Sequence, residues 1–107
     1  MKAHDILQKA AELVAGDRER THGPKLENHK NIAALWNAYL AIRKPKHDEE
    51  GYAGERPLDA FDVAIFMALL KIARTQLGEH NPDDYLDGSA YLAIAGEIAD
   101  ALRGDNP

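Results

Sequence analysis

Apolar residues recur along this chain at the three-to-four-residue spacing of amphipathic helices, and four segments carry the pattern. Ile6, Ala10, Leu13 and Val14 predict a first helix over Asp5–Ala15, stopped by Gly16. After Pro24, the stripe Ile32, Leu35, Trp36, Tyr39 and Leu40 predicts a second over Lys25–Arg43, which Pro45 ends. Pro57 opens a third helix reaching Leu77 before Gly78. Its middle, "VAIFMALL", is apolar nearly all round, so this helix is either central in a bundle or buries a second face against another subunit. Tyr91, Ile94, Ile98 and Leu102 set a fourth over Asp83–Leu102, with residues 104–107 as a frayed tail. β-Branched residues are few and alanines many, which argues against strands. The expectation is a single all-α domain over residues 1–107, an antiparallel four-helix bundle.

Composition narrows the chemistry. With 107 residues, 45% of them apolar and 29% charged, the chain has the balance of one globular domain. Its net charge of −5 argues against DNA or RNA as a partner, since binding to a phosphate backbone rests on a basic surface. A small phosphate ligand held by a few local cations fits that charge. The absence of cysteine rules out disulfides, thiolate metal sites and thiol nucleophiles. No apolar run is long enough to span a bilayer, and the opening "MKAHDILQKAAEL" is unlike a secretory signal, so no membrane partner and a cytoplasmic location are expected.

Short connections make successive helices antiparallel, so the start of helix two, the end of helix three and the start of helix four meet at one end. Glu27 and Asn31, Lys71 and Arg74, and Asp83 and Asp87 gather there. Asp87, four residues before Tyr91, is expected to face the core, either neutralised by Arg74 or Lys71 or helping to hold a divalent cation. Glu27 and Asp83 offer oxygens to Mg²⁺ or Mn²⁺, or simply favour the dipole of a helix start. Asn31 can contact a base or sugar, or make a buried hydrogen bond. Lys71 and Arg74 can take phosphate oxygens, or serve only as cations at a helix end. The loop "GDRERTHG" leads into this end, and its Arg18, Arg20 and His22 can close over phosphates. Asp59 and Asp62 form a separate "DAFD" pair at the opposite end of helix three, too far from Asp87 to share a metal unless a partner subunit brings them together.

The blocks "GDRERTHGPKLENHKNIAALWNAYL", "DVAIFMALLKIAR" and "DDYLDGSAYLAIAGEIA" resemble those of small helical proteins encoded by phages and prophages. That group is in turn distantly similar to the all-α nucleoside triphosphate pyrophosphohydrolases of the MazG and dUTPase type. The resemblance implies a MazG-like bundle in a homo-oligomer, with Mg²⁺-dependent cleavage of a nucleoside triphosphate to the monophosphate and pyrophosphate. Asp59 and Asp62 match the superfamily's ExxD, which implies a metal-binding role for Asp62. Asp87 and Tyr91 resemble the acidic and polar positions of the last helix, which implies that Tyr91 lies against substrate. The superfamily's ExxE does not appear; helix two offers Glu27, with Asn31 at a different spacing.

Two functions therefore stand as expectations. In the first, the chain hydrolyses a nucleotide phosphoanhydride, with Glu27, Asp87, Lys71 and Arg74 as catalytic residues and Glu27, Asp62, Asp83 and Asp87 as metal ligands. Arg18, Arg20, His22, Asn31 and Tyr91 would bind the substrate. In the second, it is a non-catalytic phage accessory or inhibitor protein that binds a nucleotide or another protein. A dimer built through helix three is expected in either case.

Overall fold

The computed structural model describes residues 1–16, 23–43 and 56–104. Among these residues there are four helices, α1 (Ala3–Ala15), α2 (Lys25–Ile42), α3 (Ala60–Arg74) and α4 (Pro82–Leu102), and no strand. The fold is all-α.

Helices α2, α3 and α4 pack in series, with α3 between the other two. Their directions follow from the contacts. Trp36 meets Phe66 and Tyr39 meets Asp62, while Gly23, just before α2, lies against Leu77 and Gly78 beyond the end of α3. Numbers that rise on one helix and fall on the other mark an antiparallel pair. The α3–α4 pair is antiparallel by the same test, with Lys71 beside Asp87 and Gly88 while Ala68 and Leu92 line one groove.

Central placement explains the apolar circumference of α3. Ala64, Phe66, Ala68 and Ala73 are buried, and Ile32 of α2 and Ala95 of α4 complete the buried apolar set among the described residues. The Trp36 ring stacks on Phe66 with centroids 4.7 Å apart, and its Nε1–H donates to the Phe66 carbonyl at 3.0 Å. Tyr39 meets the same ring edge-on at 5.6 Å.

Several boundaries and faces differ from expectation. Helix α3 starts at Ala60 rather than Pro57, because Asp59 is its N-cap: the Asp59 carboxylate accepts from the Asp62 N–H, and Asp62 accepts from the Asp59 N–H. It ends at Arg74 rather than Leu77, where the Thr75 N–H turns back to Ile72. On α4 the buried positions are Asp84 and Ala95, while Ile94 and Leu102 of the expected stripe are exposed. Small residues let α4 approach closely, and a Cβ on Gly88 would sit 3.3 Å from the Lys71 Cβ.

Helix α1 buries none of its residues, and its Ile6, Leu7, Leu13 and Val14 are exposed. It takes no place in the packed core. The radius of gyration, 17.3 Å, accordingly exceeds the roughly 13 Å of a compact chain of about this length.

Candidate functional site

The two ends of α3 hold different polar chemistry. At its start, Asp62 is fully buried yet completely satisfied. Its Oδ1 accepts from the Tyr39 hydroxyl at 2.5 Å and from Arg56 Nη2 at 3.2 Å. Its Oδ2 accepts from Arg56 Nη1 at 2.8 Å, Arg43 Nη1 at 3.0 Å and the Asp59 N–H at 2.9 Å. Arg43 Nη2 also donates to the Arg56 carbonyl, which ties the end of α2 to the residues leading into α3. Burial works to raise the Asp62 pKa; the Tyr39 hydroxyl, the Asp59 N–H and Arg56 overcome it and hold the carboxyl well below the usual range. Tyr39 moves the other way. Burial and its hydrogen bond to Asp62 push its pKa up to about 12. The hydrogen bond to Asp62 likewise raises Arg56. As arranged, both Asp62 oxygens are taken up by protein donors.

At the other end, α2 begins, α3 ends and α4 begins. Gly23 has φ +79°, and a Cβ there would come within 2.8 Å of the Leu77 Cβ, so glycine is required for the chain to enter α2 against the end of α3. One turn on from that contact, Asn28 is buried, with its N–H bonded to the Pro24 carbonyl. On α3, Lys71 pairs with Asp87 at 3.0 Å, its own side chain largely buried while Asp87 is half exposed. Arg74 follows one turn later. On α4, Asn81 caps the helix by accepting from the Asp83 N–H at 3.1 Å, and Asp84 in the first turn is only 4% exposed.

This end leaves valences open. Among the described residues, three buried side-chain polar atoms have no hydrogen-bond partner, Asn28 Oδ1, Arg74 Nε and Asp84 Oδ1, one from each of the three helices that meet here. Burying such groups without partners costs several kcal/mol in all, at roughly 1–3 kcal/mol each. Asp84 also lines a groove of about 390 Å³ between α3 and α4, with apolar walls from Ile65, Leu69, Ile72 and Leu92.

The residues expected to form the site fall into three groups. Lys71, Arg74 and Asp87 are at this end, and Lys71 and Asp87 are already joined as an ion pair. Glu27 and Asp83 share the end but point to solvent as exposed first-turn acids, while Asn31 and Tyr91 are half-buried. Asp62 lies at the far end of α3 in its closed network. Arg18, Arg20 and His22 lie outside the described residues. The expectation that Asp87 faces the core is corrected: the buried acid of α4 is Asp84, three residues earlier, and the buried amide of α2 is Asn28 rather than Asn31. Among the described residues, no three His, Asp or Glu side chains gather closely enough to hold a metal by themselves, and no helix is long and apolar enough to cross a membrane.

Comparison with known proteins finds relatives encoded by phages. A family model described as a domain of unknown function, DUF6378, matches residues 5–99. The chain is 32% identical to the Gene 55 protein of Mycobacterium phage D29 over 96 residues, which cover 90% of this chain and 54% of that protein. It is 36% identical to the Gene 55 protein of Mycobacterium phage L5 over 89 residues, 83% of this chain and 49% of that protein. The chain thus spans about half the length of these relatives. No solved structure matches it significantly.

Proposed function

This chain belongs to the DUF6378 family, and we propose that it binds a nucleotide at the end of the molecule where α2 begins, α3 ends and α4 begins. The observation that carries this reading is the trio of buried, unpartnered atoms, Asn28 Oδ1, Arg74 Nε and Asp84 Oδ1. Two acceptors and one donor at the end of the molecule that also holds Lys71 complement a ligand that has N–H donors on one part and phosphate acceptors on another. Arg74 offers phosphate a planar fork, and Lys71 a point charge. The start of α4 adds the N-terminal end of a helix dipole. Arg18, Arg20 and His22, which shortly precede Gly23 in sequence, add cationic side chains suited to phosphate.

The resemblance to MazG-type enzymes extends this reading to Mg²⁺-dependent hydrolysis. Mg²⁺ usually arrives with phosphates and takes only one or two protein carboxylates. Asp87, in the second turn of α4, fits that role once it leaves Lys71. The metal would supply charge neutralisation on the phosphate oxygens. Arg74 and Lys71 would hold those oxygens, and Asn28 would orient the sugar or base. A homodimer, burying the apolar residues that α1 and α4 leave exposed, belongs to the same proposal.

Calorimetric titration of the intact chain with nucleoside mono- and triphosphates, in Mg²⁺, Mn²⁺ and chelator, tests the proposal, with product chromatography alongside. Saturable heat without turnover supports a binding protein, and monophosphate with pyrophosphate supports the hydrolase. The absence of a binding isotherm for every nucleotide in all three conditions would overturn the reading.

A further inference from the structure

Asp84 belongs at once to the polar end and to the apolar groove, and the groove has the chemistry of a base-binding slot. Its walls come from Ile65, Leu69 and Ile72 on α3 and from Leu92 on α4, with Tyr85 beside Asp84. A volume of about 390 Å³ falls within the range of small-ligand pockets. Tyr85 is 54% exposed, and its ring meets that of His80 at a tilt, with centroids 5.8 Å apart. Asp84 itself is 4% exposed, with Oδ1 unpartnered. Lys71, one turn before the end of α3, is paired with Asp87.

We infer that this groove selects guanine, with the Asp84 carboxylate reading the base; the inference rests on the nucleotide reading above and specifies the base it takes. An ionised carboxylate has acceptors only. It is therefore complemented by an edge that presents two neighbouring donors and no acceptor between them. Guanine offers N1–H and the 2-amino N–H side by side, one for each carboxylate oxygen. The pairing edge of adenine sets an acceptor next to its amino group, as does that of cytosine. Uracil and thymine flank one N–H with two carbonyls, which an ionised carboxylate repels. The apolar walls favour a flat aromatic body over a hydrated alkylamine, whose charge would sit against Ile72 and Leu92.

Competition and direct titration with GTP, ITP, ATP, CTP and UTP test the choice of base on the unaltered chain. Inosine lacks only the 2-amino group, so GTP is expected to bind about tenfold or more tightly than ITP, the value of one hydrogen bond to a charged acceptor. ATP, CTP and UTP are expected to be weaker than ITP. Asp84→Asn, nearly isosteric, replaces one acceptor with a donor. It is expected to bring GTP down to the ITP level or below and to raise the affinity for XTP, whose 2-carbonyl accepts from the new amide. Equal affinity for GTP and ATP in the unaltered chain overturns the guanine assignment while leaving the nucleotide reading in place. The same follows if GTP and ITP bind equally. If no nucleotide binds, it is the underlying reading that fails. A melting curve of Asp84→Asn shows that the variant is folded, and the inosine comparison needs no variant.

Discussion

Two aspartates, Asp62 and Asp84, are both buried in the first turn of a helix, and their surroundings are opposite. Asp62 receives five hydrogen bonds, from Tyr39, Arg43, Arg56 and the Asp59 N–H. The Asp84 carboxylate has Oδ1 buried with no partner and faces a groove. A carboxylate that the chain has surrounded with its own donors is part of the fold. A carboxylate buried at a cost and left short of donors among the described residues is a candidate for binding a ligand. The contrast separates the two ends of α3 into a structural lock and a candidate site, although both are rich in charge.

The largest expected effect is on the lock. Asp62→Asn leaves Arg43, largely buried, without the Asp62 counter-charge and removes the shorter of the two ion pairs shown for Arg56, and breaking such a buried pair from one side costs about 3–5 kcal/mol. The pH dependence has a definite sign. The folded-state pKa of Asp62 is depressed, so its contribution is complete above the unfolded value of about 4 and is lost as pH falls toward the folded value. Chemical denaturation at pH 7 and at pH 3 should show the wild type losing stability with acid, and Asp62→Asn starting lower and losing less. A loss under 1 kcal/mol at pH 7 would mean that the network contributes little and would weaken the contrast at its root.

Next comes Arg74→Ala, which removes the donor at the open end. Losing a charge-assisted contact to phosphate should weaken nucleotide binding by about 1.5–3 kcal/mol, roughly 10- to 150-fold. Because Arg74 Nε has no hydrogen-bond partner among the described residues, the thermal midpoint should move little. The opposite pattern, a large fall in midpoint with unchanged affinity, would place Arg74 in the fold rather than in the site.

Tyr39→Phe is a finer probe of the lock, since it deletes one of the five bonds and leaves Asp62 charged. A hydrogen bond to a charged group contributes about 1.5–3 kcal/mol, and four remaining donors should keep the loss near the lower figure. The Tyr39 pKa is raised from 10 to about 12, so its contribution is present below pH 10 and disappears as pH rises through about 12. Wild type and Tyr39→Phe should therefore converge in stability at strongly alkaline pH. Parallel curves up to that range would show that the hydroxyl is not coupled to Asp62.

How much of this was legible in the sequence depended on which signal each feature leaves. Gly16 and Pro24 mark helix limits, and the meeting of three helix ends follows from short antiparallel connections. The start of α3 was misplaced because Pro57 is a strong initiator, while the reciprocal Asp59–Asp62 box that actually caps the helix has the same form as an acidic metal motif. A DxxD ahead of an apolar run is a capping signal in its own right. The Arg43 and Arg56 partners leave no local trace, because one follows α2 and the other precedes α3. The buried face of α4 was misjudged for another reason. Large residues, Tyr85, Leu86, Leu92 and Ile94, point outward, while the packed face uses Gly88 and Ala95, which carry almost no hydropathy signal. The stripe Tyr91, Ile94 and Ile98 predicts Asp87 inward, four residues before Tyr91, whereas the packed face through Gly88 and Ala95 turns Asp84 inward.

The smallest expected effect concerns Asp87, and it sharpens the comparison between α4's two acids. Asp87 is half exposed and paired to Lys71, whose side chain is 14% exposed. An ion pair with one partner in solvent contributes about 0–1 kcal/mol, so Asp87→Asn should scarcely change the melting curve. Its effect on ligands separates the readings of the open end. If Mg²⁺ travels with the phosphates and draws on the Asp87 carboxylate, Asp87→Asn should weaken nucleotide binding in Mn²⁺ or Mg²⁺ and leave binding in chelator unchanged. If the site is a metal-free binding cleft, releasing Lys71 from its carboxylate gives the phosphates a freer cation, and affinity in chelator should rise by up to a few fold. Titrations of the two proteins with and without metal distinguish these outcomes by sign. An Asp87→Asn variant indistinguishable from wild type in every condition would confine the site to Asn28, Arg74 and Asp84.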